Sequence, residues 1–354
     1  MFRLRALLKA VTTRSRALNL HVLVLVLVLG VGFLVSHYLH IVLGPVDPTD
    51  GSEVEVYVPP RSTTAAIAGL LHRAGVINDP LAFRLLARWR GVDGLLKAGE
   101  YRFSRDMAMN EIIDKLVAGE VVTYSFTIPE GYTLSLIADK LSSLGFVDRE
   151  RFVALAHDPS FVPEFVPHDA LDVIPHPVEG YLFPDTYVLT REATEEDILR
   201  MMLDRFREVF NDEMRQRAEE LGMTVHEVVT LASIIEAEAR VAAERPIISG
   251  VYHNRLRIGM KLDADPTVRY VLDVGAERPL FRKDLEVDSP YNTYRNAGLP
   301  PGPINNPGLA SIEAALYPAD VDYLYFVSKG DGTGEHAFSE TYAEHLQNLR
   351  KYQK

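Results

Sequence analysis

The segment TVHEVVTLASIIEAEA, residues 224–239, decides the fold of the second half of the chain, because it encodes a helix with a defined start. Thr224 and Glu227 form a capping box, in which each side chain bonds a free backbone N–H near the other. With about 3.6 residues per turn, the apolar residues that follow share one stripe: Val225, Val228, Val229, Ala232, Ile235 and Ala239. The segment therefore predicts a helix that packs one face into a core.

Glu236 lies on the flank of this apolar stripe, whereas Glu238 points to the other side of the helix with Glu227. Burial raises the pKa of a carboxyl, so a glutamate on an apolar flank can hold a proton near neutral pH and donate it. The pattern makes Glu236 a candidate general acid. The structural alternative is an ion pair with Arg240, which lies four residues further along the helix.

The residues around this helix indicate an α+β fold class for residues 171–354. Strong helical patterns alternate with stretches rich in Pro, Tyr, Asn and Gly, which suggests a separate domain with long ordered loops. Residues 323–327 and 336–338 predict a hairpin across the glycine-rich turn between them, and a closing helix is expected from Thr341. We expect the chemistry in this domain.

An internal repeat with a spacing of about 70 residues precedes this domain. Residues 58–77 align with residues 128–147, and each copy reads as a short alternating strand followed by a capped amphipathic helix. The strand-helix-helix-strand pattern of residues 53–122 resembles LysM domains, which bind glycans containing N-acetylglucosamine, and residues 123–170 form the second repeat unit. A spacer without a binding function is the alternative.

An apolar run from residue 18 to residue 43 has the length of a membrane span. It contains no Asp, Glu, Lys or Arg, and about 20 residues suffice to cross a bilayer core of about 30 Å. Five basic residues lie in the preceding tail (1–17), and none follows until Arg61, beyond the linker 44–52. The positive-inside rule therefore places the tail in the cytoplasm and the rest outside. A cleaved signal peptide is the alternative, although its apolar region would be only about 7 to 15 residues long.

The composition excludes several classes of function. The sequence has no cysteine, so disulfides, thiolate metal sites and a thiol nucleophile are excluded. The formal net charge is −12, and nucleic acid is not an expected partner because it requires a basic surface. No His-Glu-x-x-His or Gly-x-Ser-x-Gly motif occurs, so we expect no metal and no cofactor.

Seven motifs together resemble one known family, the endolytic murein transglycosylases or YceG-like proteins. In chain order they are EGYLFPDTY (179–187), LASIIEAE (231–238), NRLRIGM (254–260), DPTV (265–268), SPYNTY (289–294), GLPPGPI (298–304) and NPG (306–308). The resemblance covers residues 50 to 350. It implies a single-pass protein of the bacterial inner (cytoplasmic) membrane whose YceG-like α+β catalytic domain lies outside, in the periplasm.

The resemblance implies that Glu236 is the catalytic acid and later the base. It would protonate the oxygen between N-acetylmuramic acid and N-acetylglucosamine, and the muramoyl 6-hydroxyl would then close on C1 to leave a 1,6-anhydro end. The residues expected to bind the sugars are Tyr291, Asn292, Thr293, Asp265, Glu179 and Asp185. Asp265 before Pro266 also predicts a helix start, with the aspartate as N-cap.

One motif departs from the family pattern. The family usually has Gln and then Ser or Thr before Asp-Pro-Thr, whereas this sequence has Asp263 and Ala264. The resemblance therefore implies no hydrogen bond from that pair to the substrate.

Two other functions remain open at this point. A muramidase would hydrolyse the same bond and would require a second carboxylate, for which Glu238, Asp265 or Glu179 is available. A non-catalytic peptidoglycan-binding scaffold is the second alternative. The sequence names no protein partner, and a position near nascent glycan strands makes the peptidoglycan synthases the natural suggestion.

Overall fold

The structure, a computed structural model, describes residues 2–275 and 277–353, and within the first helix it describes side chains from Val22 onward. The chain forms two compact units. Unit 1 comprises Met1–Tyr124 with Leu189–Glu192, and unit 2 comprises Ser125–Val188 with Ala193–Lys354. Each unit has α-helices and short strands, so the fold class is α+β, as predicted.

Unit 1 opens with the apolar helix α1 (Phe2–Leu43), in which Val22–Leu43 is long and apolar enough to cross a membrane. The described side chains of α1 are exposed except at its end, where Val42 is only 7% exposed. The side-chain amide of Asn78 donates to the carbonyls of Ile41 (3.0 Å) and Gly44 (3.1 Å). These bonds satisfy carbonyl groups that the end of a helix leaves free.

The remainder of unit 1 is a strand-helix-helix-strand module followed by one helix. Its elements are β1 (Glu53–Val58), α2 (Thr64–Arg73), α3 (Pro80–Trp89), β2 (Gly99–Ser104) and α4 (Met109–Ala118). β1 and β2 pair antiparallel, and Val56 and Val58 point into a core that includes Phe83 and Phe103. The order of elements is the predicted one, and glycan binding by this module stays a prediction.

Unit 2 begins with the second copy of the repeat. Its elements are β3 (Tyr124–Thr127), α5 (Leu134–Ser143) and α6 (Arg149–Ala156), which follow the order of β1, α2 and α3. Thr133 caps α5 by accepting from the Leu136 N–H, as Thr63 caps α2 through the Ala66 N–H. The structure groups this copy with residues 193–354 in one unit, whereas the sequence interpretation separated residues 123–170 from residues 171–354.

The centre of unit 2 is a set of helices around α9. The next elements are β4 (Thr186–Leu189), which pairs with β3, α7 (Glu195–Val209), α8 (Asp212–Glu220), α9 (Val225–Glu238), α10 (Arg245–Arg257), α11 (Asp265–Leu272) and α12 (Leu309–Leu316). α9 starts at the predicted capping box and is buried continuously from Val228 to Ile235. It contacts α8, α10, α11 and α12, so only its last turn is available for chemistry.

The chain ends in the predicted hairpin and closing helix. β5 (Tyr325–Ser328) pairs antiparallel with β6 (His336–Ser339), and α13 (Tyr342–Tyr352) follows with Thr341 as its N-cap. The Arg255 guanidinium of α10 donates to the carbonyls of Leu324 and Leu262, both at 2.6 Å, which ties the hairpin to the helical centre.

Candidate active site

Glu236 is held by donors from two other parts of unit 2. Its Oε2 accepts from the Gly308 N–H at 3.1 Å and from the Ser311 hydroxyl at 2.7 Å. Arg245 approaches Oε1 at 3.5 Å, and the side chain of Glu236 is 9% exposed. The carboxyl of Glu236 therefore has polar partners, whereas the sequence pattern predicted an apolar flank. Arg245 takes the place of the expected ion-pair partner Arg240, which is exposed.

A second carboxyl lies beside Glu236. Glu130 packs so closely over Gly308 that a Cβ atom at position 308 would overlap its carboxyl. Burial raises the pKa of Glu130, the charge of Glu236 adds to the rise, and Arg245 opposes it. Glu130 and Glu236 therefore form an acidic pair that the guanidinium partly neutralises.

Glu238 has different surroundings, two residues further along α9. The Tyr252 hydroxyl of α10 donates to its Oε1 at 3.2 Å. Burial raises the pKa of Glu238 to about 7, the charge of Asp265 adds to the rise, and Tyr252 and Arg255 oppose it. A carboxyl with this pKa holds a proton at neutral pH for part of the time and can act as both acid and base.

Asp265 and Tyr294 complete the surroundings of Glu238. The Tyr294 hydroxyl donates to Asp265 Oδ1 at 2.6 Å. The pKa of Tyr294 is raised, mainly by burial and next by this hydrogen bond. The charges of Asp265, Asp263 and Glu238 raise it further, so three carboxyls lie near one phenol. The N-cap of α11 is Ala264, and Asp265 is the first helical residue, so the predicted capping role is wrong. The Asp265 carboxylate is instead directed to Tyr294.

At position 263 this chain has a carboxylate, Asp263, where the family that it resembles usually has the amide of Gln. Asp263 is exposed and has a φ of 45°, in the left-handed region that aspartate adopts more readily than most residues. Burial raises its pKa, and Arg255 and Lys261 oppose the rise. Asp263 therefore adds a third acidic group near Tyr294, beside Asp265 and Glu238.

The three neighbouring residues of the SPYNTY motif are buried and hold the loop together. Tyr291 is 3% exposed, and its ring centroid lies 5.2 Å from that of Tyr270. The Asn292 amide donates to two carbonyls of its own loop, at 3.0 and 2.8 Å. Thr293 Oγ1 accepts from the Ala264 N–H at 2.9 Å. Their burial argues against the predicted direct contact with sugars, and their bonds position Ala264 and Tyr294.

Glu179 is buried in the interior of unit 2. It is 1% exposed, and its carboxyl accepts from the Leu134 N–H at 2.9 Å and from the Asn306 amide at 2.8 Å. Burial raises the pKa of Glu179 to about 8, although these two donors lower it. A neutral, buried carboxyl bonded to the backbone is structural, so the predicted sugar contact of Glu179 is not supported.

Asp185 is separated from these groups and forms a local ion pair. Its Oδ2 accepts from Arg205 Nε at 2.7 Å, and its Oδ1 accepts from the Thr186 N–H at 2.7 Å. Burial alone would raise the pKa of Asp185, but these bonds outweigh it and the pKa is lowered. The structure shows no contact of Asp185 with Glu236 or Glu238 among the described residues.

The predicted residues are therefore brought together only in part. Glu238, Asp265 and Tyr294 share one side of the α9 terminus, and Glu236 lies with Glu130 at another. Tyr252 and Tyr294 carry no signal in the sequence as single residues, although Tyr294 ends the SPYNTY motif. Within residues 2–275 and 277–353, no group of three or more His, Asp or Glu side chains has the arrangement of a metal site.

The fold and this site define an α+β protein in which a buried helix ends at a carboxyl of raised pKa, and the described residues include one helix that is apolar and long enough to cross a membrane. The sequence model of the YceG-like family matches residues 56–351, and the chain belongs to that family.

The chain is similar to named relatives and to a solved structure. The endolytic murein transglycosylase of Bacillus subtilis (strain 168) is 37% identical over 337 residues, which cover 92% of this chain and 91% of the relative. The endolytic murein transglycosylase of Streptococcus pneumoniae (strain R6) is 30% identical over 91% of this chain, which spans 62% of the relative's length. The crystal structure of a YceG-like protein from Listeria monocytogenes is 38% identical, with a TM-score of 0.59 over 83% of this chain and 98% of that one.

Proposed function

We propose that the chain is a membrane-anchored lytic transglycosylase that cleaves the glycan strands of peptidoglycan, with Glu238 as the proton donor and acceptor. The names of the relatives support the substrate and the reaction, since they are endolytic murein transglycosylases at 30% to 37% identity. The surroundings of Glu238 carry the assignment of the acid, because its pKa of about 7 suits a group that donates and later accepts a proton.

Cleavage of a glycosidic bond requires a proton on the departing oxygen and stabilisation of an oxocarbenium-like centre. In the proposed reaction, protonated Glu238 gives its proton to the oxygen between N-acetylmuramic acid and N-acetylglucosamine while the C1–O bond breaks. The Glu238 carboxylate then removes the proton of the muramoyl 6-hydroxyl, whose oxygen bonds to C1. The product ends in a 1,6-anhydro ring, no water is consumed, and Glu238 is protonated again.

Asp265 and Tyr252 are positioning residues in this proposal. The charge of Asp265 keeps the pKa of Glu238 high, and the Tyr252 hydroxyl fixes the orientation of the carboxyl. Glu236 is the competing candidate for the acid. It is the acid that the family resemblance implies, and its carboxyl accepts from the Gly308 N–H and the Ser311 hydroxyl.

The position of the enzyme is part of the same proposal. Val22–Leu43 would span the cytoplasmic membrane and leave both units outside, near newly made glycan strands. Internal cleavage of the strands follows from the name shared by the relatives. The peptidoglycan synthases that make those strands are the proposed protein partners.

The test is cleavage of uncrosslinked glycan strands by the full-length chain in detergent, with the product ends read by mass spectrometry. The parent should make anhydro-muramoyl ends. The Glu238→Gln variant should fold and lose about 100-fold or more of the rate, because the amide cannot transfer the proton. Glu236→Gln is the matched control and should retain most of the rate, since its carbonyl can still accept from Gly308 and Ser311.

The other outcomes discriminate between the alternatives. Loss of activity in Glu236→Gln with full activity in Glu238→Gln would reverse the assignment of the acid. Product ends heavier by one water would identify a muramidase. No cleavage by the parent, with retained binding to the strands, would identify a scaffold.

A further inference from the structure

Helix α3 of unit 1 exposes a continuous apolar face. Leu81, Leu85 and Trp89 are 57%, 60% and 85% exposed. Their spacing of four residues places them on one side of the helix, about one turn apart. Large apolar side chains that are exposed singly are common, whereas three in a row along one helix face indicate an interaction surface.

The same helix carries arginines beside this face. Arg84 and Arg88 are exposed and lie next to the apolar row, whereas Phe83 and Ala87 on the opposite side are fully buried in the core of unit 1. Leucine and tryptophan on one face with flanking arginines are typical of helices that lie in the interface of a membrane. Long arginine side chains can keep their charge among the headgroups while their apolar stems face the acyl chains.

The start of α3 lies against the end of the apolar helix α1. Asn78, two residues before α3, donates to the carbonyls of Ile41 and Gly44, and α1 and α3 are in contact. Val42 is buried and Leu43 packs against the core of unit 1. Unit 1 therefore packs directly against the last turn of the span. The apolar face of α3 begins at Leu81, three residues after Asn78.

We infer that the face formed by Leu81, Arg84, Leu85, Arg88 and Trp89 docks on the lipid surface around the outer end of the span. The inference rests on the proposed membrane span. The junction at Asn78 supports lipid over a protein partner, because it holds α3 where the interface begins. Tryptophan is enriched at this depth, and arginine attracts anionic headgroups.

Trp89 is the only tryptophan in the chain, so its fluorescence reports on this face alone. The full-length chain would be reconstituted in vesicles of phosphatidylcholine and phosphatidylglycerol, with and without lipids brominated on the upper acyl chain. Docking predicts blue-shifted emission, strong quenching by brominated lipid and protection from iodide in the buffer. Emission that iodide quenches as fully as in the urea-unfolded chain, with no quenching by brominated lipid, would overturn the inference.

Two variants separate docking from other causes. Leu81→Ser with Leu85→Ser should shift Trp89 emission to the red and restore quenching by iodide, because the apolar row is removed. The matched pair Leu136→Ser with Leu144→Ser changes two exposed leucines, 47% and 51% exposed, in unit 2 and should leave the emission unchanged. A blue shift without quenching by brominated lipid would identify a protein contact and would contradict docking on lipid.

Flotation of the vesicles after an alkaline carbonate wash tests the span separately. A chain that floats but fails the quenching test overturns docking and leaves the proposed anchor intact. A chain that does not float overturns the anchor and, with it, the docking inference.

Discussion

The side chains of Glu236 and Glu238 extend from different sides of the last turn of α9, and they have different hydrogen-bond partners. The sequence pattern identified the helix and both carboxyls, and the apolar flank together with the family resemblance favoured Glu236. The donors to Glu236 come from Gly308 and Ser311, about 70 residues away along the chain, and helical periodicity carries no information about such partners. The choice between the two glutamates therefore depends on tertiary contacts.

The proposed acid makes the activity depend on pH in a defined direction. The pKa of Glu238 is raised to about 7, so the protonated form that starts the reaction is lost as the pH rises above 7. Asp265→Asn removes a negative charge that raises this pKa, so the fall in rate should begin at a lower pH. The measurement is the pH dependence of kcat/KM on purified strands. Asp169→Asn, which removes the same charge from an exposed site, should leave the profile in place.

An unchanged profile in Asp265→Asn would mean that Glu238 does not set the basic limb of the rate. In the same variant the Tyr294 hydroxyl meets an amide oxygen in place of a carboxylate oxygen, which weakens its hydrogen bond, so Tyr294→Phe serves as the second comparison. That variant removes the phenol but keeps the charge of Asp265. If both variants shift the pH profile equally, the hydrogen bond of Tyr294 and not the charge of Asp265 is the cause of the shift.

At the level of elements, the starts of the helices with a capping threonine were predictable, whereas the cap of α11 and the loop 289–308 were not. Capping threonines at the starts of α2, α5, α9 and α13 follow from local rules, because the cap and its N–H group are close in sequence. The burial of Tyr291, Asn292 and Thr293 depends on bonds to distant segments such as the Ala264 N–H. A loop rich in Tyr, Asn and Pro reads as a binding loop by composition, whereas here much of it is interior.

Asn306 joins three segments of unit 2 with a single buried side chain. Its Oδ1 accepts from the N–H groups of Gly180 and Leu182, both at 2.9 Å, and its amide donates to the Tyr132 carbonyl and to Glu179. Asn306→Ala leaves the buried N–H groups of Gly180 and Leu182 without their acceptor, at about 1 to 3 kcal/mol for each unsatisfied group, whereas the Tyr132 carbonyl keeps the Asn306 N–H and Glu179 keeps the Leu134 N–H. We expect the free energy of unfolding to fall by about 3 kcal/mol or more, as measured by urea unfolding of the full-length chain.

Asn296→Ala provides the comparison for this prediction. Asn296 is exposed and donates to the carbonyls of Ser289 and Asn292, so water can replace its bonds. Its loss should cost less than about 1 kcal/mol. Equal costs for the two variants would show that the bonds of Asn306 are not the source of its effect.

For the whole molecule, the sequence correctly predicted an α+β fold with one apolar helix, and the family resemblance is confirmed. The grouping of residues 123–170 was not predictable from composition, because the second repeat copy joins unit 2 through contacts such as Gly131 N–H to the Asn306 carbonyl. Such a bond links residues that are far apart in the chain. Repeats identify similar elements and do not show which core they share.

Global stability should also depend on pH through Glu179. Its pKa is about 8 in the folded chain and 4.5 in the absence of burial, so the folded state binds the proton more tightly. The free energy of unfolding is therefore highest below pH 4.5, and it falls by a few kcal/mol at most as the pH rises toward 8. Glu179→Gln mimics the protonated form and should flatten this dependence in urea unfolding between pH 5 and pH 8. A parallel decline in parent and variant would exclude Glu179 as its source.

The junction of Asn78 with the end of α1 has a consequence for how unit 1 would move in a membrane. A domain on a flexible linker could take many orientations relative to the membrane. Unit 1, in contrast, is hydrogen-bonded to the last turn of α1. In a bilayer, such an anchor allows unit 1 to diffuse and rotate in the plane of the membrane but keeps its distance from the membrane nearly constant. Encounters of unit 1 with other molecules at the membrane would then be governed by diffusion in two dimensions.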